Sequence, residues 1–190
     1  GAVNGGVEQC VGYKEWVAVC DALLSGRQHL LLRKGGIHEG REGFSFREER
    51  FVLFPTRFHA QAAQVRAPEV SVGKTGEWEA GEEVPIAVWC EALWARTLTD
   101  WKQVMALEPF HIWTEDLVRE RFDCGELQQI HCALVRVFRL PKPVSLPYEK
   151  KYGGCRTWVN LPIAVPSEVD PVINDTDFGE IRKAIEEIVC

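Results

Sequence analysis

The 190-residue chain has no C-x-x-C pair, no H-x-x-H or H-x-x-x-H spacing, and no apolar run near the roughly 20 residues a bilayer demands. Its seven cysteines (Cys10, Cys20, Cys90, Cys124, Cys132, Cys155, Cys190) are odd in number, and several sit inside apolar runs such as WVAVCDALL and IHCALVRV. A disulfide framework or a zinc knuckle needs tighter, paired spacing. Free thiols in a reducing cytosol or organelle stroma are expected instead, with no metal, no cofactor and no membrane partner. Gly1 to Gly6 has neither the basic start nor the apolar stretch of a signal peptide. Residues 1–11 are expected to be a flexible tail and 12–190 a single domain. A composition of 46% hydrophobic and 26% charged residues excludes disorder for most of the chain.

Catalytic motifs are also incomplete. Gly73-Lys74-Thr75 ends like a phosphate-binding loop, but Pro68 stands where the first glycine belongs. Asp177-Phe178-Gly179 has none of a kinase's other parts around it. Cys155 follows two glycines and precedes Arg156, a setting that can activate a thiol, with His59 or His111 as a base. No spacing brings either histidine to it. A metal-dependent phosphodiesterase would use an acid-x-Lys motif, met by Asp100-Trp101-Lys102, with Glu91 as the second carboxylate. A helix through Asp100 and Lys102 would turn those two apart.

Charge is patterned. The net charge of −6 argues against a general nucleic-acid coat. From Gly26 to Arg66, however, eight basic residues meet four acidic ones, and from Leu127 to Pro166 six meet one. Acidic blocks follow each. If the basic blocks meet in space, a positive face lies on an acidic body.

The hydrophobic pattern predicts strands at Trp16–Leu24 and His29–Arg33 around a bend at Ser25-Gly26, then at Arg50–Phe54, halted by Pro55. Residues 67–83 read as a surface loop. Further strands are expected at Val84–Ala95, Gln128–Leu140 and Cys155–Leu161, with Pro141, Pro143 and Pro147 fixing an extended linker. Thr99 and Thr114 can cap helices ending near Leu107 and Phe122, and Asp177 with Glu180 forms a capping box for a helix to Val189. The expected fold class is α+β: a small mixed β-barrel or curled sheet of five to six strands with three to four short helices.

Four strings combine glycine or proline with a polar or basic group, and all but the first add an aromatic: RKGGI (33–37), LFPTRFH (53–59), PFHIWT (109–114) and YGGCRTW (152–158). Arg33, Lys34 and Arg156 offer anion contacts, Trp113 and Trp158 offer stacking surfaces, and His59 and His111 add polar groups. With Lys14-Glu15-Trp16, Arg121-Phe122 and LVRVFRL, the same strings resemble the family called domain of unknown function 1802, over roughly residues 12–163. The resemblance implies no activity. Ala60 departs from the family pattern, which has Gln directly after FPT-x-FH; here Gln61 comes one place later. The order of elements is also similar to PUA and EVE-like barrels, which stack bases and hold phosphates. The reading is therefore a PUA-like module binding RNA, DNA or a nucleotide through those seven residues. The alternatives are the phosphodiesterase and a protein-interaction module.

Overall fold

The computed structural model describes residues 8–34, 49–58, 60–66 and 76–190. Within them are seven strands and four α-helices, an α+β architecture with one strand more than expected. The strands are β1 (Cys10–Trp16), β2 (Leu30–Lys34), β3 (Arg50–Thr56), β4 (Glu83–Leu98), β5 (Ile130–Pro147), β6 (Trp158–Leu161) and β7 (Asp170–Pro171). The helices are α1 (Val17–Leu24), α2 (Trp101–Ala106), α3 (Glu115–Asp123) and α4 (Asp175–Val189). One sheet runs β2-β5-β4-β3-β1-β6, with β7 added beside β5. Among the described residues only β1 and β3 pair in parallel.

Sheet curvature sets the site. The long β4–β5 ladder shifts register between Ile86 and Val88 and again between Ala92 and Trp94, and such bulges bend and twist a sheet. The curl brings its two outer strands together: the Arg33 guanidinium of β2 donates to Thr157 Oγ1, one residue before β6. The two basic blocks of the sequence therefore meet here. Tyr13, Phe51 and Trp158 fill the interior nearby, with ring centroids 5.1–5.4 Å apart.

Several sequence expectations change. Residues 17–24 form a helix, not a strand. The run VAVCDALL is apolar except for the exposed Asp21 because α1 is buried on most sides, and in so short a run a buried helix and a buried strand look alike. Gln61 supplies what its first turn lacks: its Oε1 accepts from Ala18 N at 2.9 Å. The helix ends on Gly26 at φ +79°, with Arg27 N bonded to Ala22 O and Gly26 N to Leu23 O. This is a left-handed C-terminal cap that suits glycine.

The prolines do not stop strands here. Pro55 lies within β3, past the last β4 pair at Val52, so its missing N–H costs no bond to β4. Pro141 and Pro143 lie within β5, opposite the irregularity at Ala87, where the ladder has no regular pairs to lose. Thr114 caps α3 by accepting from Leu117 N at 3.3 Å. Asp100, not Thr99, caps α2, accepting from Lys102 N at 2.9 Å. Asn174 caps α4 by accepting from Asp177 N at 2.8 Å, so Asp177 is the bonded first-turn residue and not the cap. Residues 67–75 of the surface loop lie outside the described residues. The remainder is pinned by Trp78, whose Nε1 donates to Pro55 O at 2.7 Å beneath Arg57.

Candidate functional site

Where β1 passes into α1, Lys14, Glu15 and Trp16 face three different neighbours. The Lys14 ammonium donates to Tyr152 O at 2.9 Å and Gly154 O at 2.8 Å, fixing the 152–156 loop across the sheet edge. Gly154 at φ +86° makes the turn that presents Cys155. Burial, with Arg156 and Arg33 close by, pulls the Lys14 pKa down. The Glu15 carboxyl is only 4% exposed, and burial raises its pKa against the opposing pull of Arg121 and Arg33. Its Oε1 accepts from Trp16 N at 2.8 Å. The Trp16 indole packs edge-on against Phe58 at 4.8 Å.

Arg121 arrives from the last turn of α3. It donates to Leu32 O at 2.8 Å, and its guanidinium carbon lies 5.1 Å from the Trp16 ring centroid and 4.9 Å from that of Trp113. Two indoles and a carbonyl thus hold its planar head. Trp16, Arg33, Lys34, Arg121, Glu120 and Cys155, with Leu32, Leu117 and Cys124, line a cavity of about 290 Å³. Three cations stand against one wall carboxylate there, with one aromatic face.

The expected site residues divide. Arg33 and Lys34 line this cavity. Arg156 stands beside it, exposed, and its guanidinium donates to Lys151 O. Trp158 is half-buried, packs against Tyr13 and Phe51, and does not line the cavity. Trp113 is fully buried and serves as backing for Arg121, not as a surface for a ligand. His111 is 4% exposed, and its Nδ1 accepts from Trp113 N at 3.1 Å. Burial, aided by the Arg66 and Arg121 charges, pushes its pKa down to about 3, so it is neutral at physiological pH. His59 lies outside the described residues, as do Gly35-Gly36-Ile37 of RKGGI. Trp16 and Arg121 were missed as site residues, although both belong to strings already singled out in the sequence.

The phosphodiesterase constellation does not assemble. Glu91 and Leu98 are seven residues apart on β4, roughly 23 Å at strand spacing, and Asp100 lies beyond Leu98. Glu91 pairs with Arg50 at 3.6 Å, Asp100 caps α2, and Lys102 follows it on that helix. Glu91, Asp100 and Lys102 therefore cannot share one metal. Among the described residues no three His, Cys, Asp or Glu side chains are grouped to hold one, and no helix is long and apolar enough to cross a membrane.

The protein is a curled-sheet α+β domain with a cation-lined cavity between β2 and α3. The family described as "Domain of unknown function (DUF1802)" matches residues 12–184, and the chain belongs to it. No curated protein matches. Among solved structures, the chain is similar to ASCH from Zymomonas mobilis, at 11% identity and a TM-score of 0.43, covering 70% of this chain and 71% of that one. A single-substitution mutant of that protein gives 11% identity and a TM-score of 0.44, covering 70% and 72%.

Proposed function

We propose that this domain binds a nucleic acid or nucleotide, gripping phosphate in the cavity between β2 and α3. The observation that carries this reading is that Arg33, Lys34 and Arg121 converge with the Trp16 indole on one cavity. Guanidinium groups suit phosphate because a planar fork donates two parallel hydrogen bonds. An indole in the same wall gives a base something to stack on. Lys14 and Arg156 at the rim extend the positive field. Binding, not turnover, is the proposed activity: His111, one of the two expected bases, is buried and neutral. The free thiols fit a reducing compartment, the cytoplasm or an organelle stroma.

The test is direct titration of the intact chain, at low salt, with short single-stranded RNA and DNA and with free nucleotides. Saturable binding that Arg33→Ala weakens supports the proposal. Absence of binding to all of them, where electrostatic attraction is strongest, refutes it.

A further inference from the structure

We infer that the cavity is built for a phosphate monoester, a terminal or free-nucleotide phosphate and not an internal phosphodiester, with Arg121 as its specificity-determining grip. This rests on the phosphate-binding reading above and narrows it. Three features of the site lead to it.

The first is charge. Five cations stand in or beside the cavity against the carboxylates of Glu15 and Glu120. An internal phosphodiester carries a single negative charge and would leave most of that excess uncompensated. A monoester carries about −1.5 to −2 at neutral pH and offers three acceptor oxygens.

The second is size. At about 290 Å³ the cavity sits at the lower limit of small-molecule pockets. It has room for about one nucleotide-sized group, whereas a surface that tracks a strand spans roughly 4 to 16 nucleotides per domain.

The third is the state of Arg121. A guanidinium has five N–H donors. Among the described residues Arg121 spends one, on Leu32 O, while Trp16 and Trp113 fix the plane of the group. A cation held this way is pre-organised, so little side-chain entropy is lost when it takes two oxygens of one phosphate. Arg33 is already engaged with Thr157, and Lys34 is exposed at the end of β2. Arg121 is thus a cavity cation whose orientation the fold sets while most of its donors stay unspent, and Thr157 and the Tyr13 ring orient Arg33 beside it.

The experiment compares one short single-stranded oligonucleotide carrying a 5′-phosphate, a 3′-phosphate, or hydroxyls at both ends. Each is titrated into the intact wild-type chain and into Arg121→Lys, with inorganic phosphate as competitor. One phosphorylated form should bind at least roughly 10-fold tighter than the hydroxyl form, the worth of a charge-assisted contact. Inorganic phosphate should compete. Arg121→Lys, which keeps the charge but loses the fork, should erase most of that preference. The wild-type comparison alone decides the matter if the variant does not fold. Equal, measurable affinity for all three forms overturns this inference and leaves nucleic-acid binding standing. Absence of binding by every form removes both. Binding of inorganic phosphate to which the nucleoside adds nothing keeps the monoester site and removes the nucleic-acid reading.

Discussion

Acid should destabilise this domain through two histidines that the fold keeps neutral, and His111→Asn should measure the share of one. His111 is 4% exposed and its pKa is pushed down to about 3; His29 is 7% exposed and pushed down to about 4, each mainly by burial. The unfolded chain binds a proton on each near pH 6.5, so the stability they contribute is present above that pH and is lost as pH falls toward the folded values. Between pH 6.5 and 5.0 an imidazole that stays neutral costs about 1.36 kcal/mol per pH unit, or about 2 kcal/mol for His111 and as much again for His29. Glu15 works in the opposite sense, because burial raises its carboxyl and protonation then favours the fold. A difference between proteins removes that contribution. Asn at position 111 can accept from Trp113 N through Oδ1, as the imidazole Nδ1 does. Urea unfolding at pH 7.0 and 5.0, with reductant present, should show wild type losing about 2 kcal/mol more than His111→Asn between the two values. A difference near zero would mean that His111 takes up its proton without unfolding, and the buried, neutral assignment would be wrong.

Native alkylation should label Cys124, Cys155 and Cys190 quickly, and Cys10, Cys20, Cys90 and Cys132 only after unfolding, for seven labels in all by mass spectrometry. A native disulfide would contradict this. Asp100→Ala removes the cap of α2 and should cost about 1 kcal/mol in urea unfolding while leaving oligonucleotide affinity unchanged. Arg33→Ala should weaken oligonucleotide binding by about 1.5–3 kcal/mol and lower the slope of log affinity against log salt by about one unit. Arg156→Ala, whose guanidinium turns to Lys151 O at the rim, should weaken binding by less in the same titration.

One of the three expected caps and several strands were legible in the sequence, while the caps of α2 and α4 fell on the neighbouring Asp100 and on Asn174. Thr114 begins α3 as its hydroxyl and acidic first turn require, and Leu30–Lys34 is a strand within a residue of the expected span. Residues whose meaning depends on tertiary partners were not. VAVCDALL has only Asp21 to mark a polar face, because the surrounding structure buries most of the helix. Pro141 and Pro143 are tolerated only because β4 and β5 lose register at that point, which no local rule foresees. At the site, Arg33 and Lys34 stood out by composition. Arg121 lies in a predominantly acidic stretch, and its role comes from packing against Trp16 and Trp113, which register and curvature decide. Trp113 was visible as an aromatic in an unusual string, but burial reversed its meaning from ligand surface to support.

The central claim is that the anion sits between β2 and α3, and arginine side-chain NMR tests it most directly. Nε–Hε signals of the intact chain are followed while a short single-stranded oligonucleotide is added at low salt, alongside Arg33→Ala and Arg121→Lys to assign the peaks. The account predicts saturable shifts for Arg33 and Arg121, with Arg119 and Arg182 unmoved in their own i,i+4 ion pairs on α3 and α4. Saturable shifts at Arg119 or Arg182 with none at Arg33 and Arg121 would place the ligand elsewhere and contradict it.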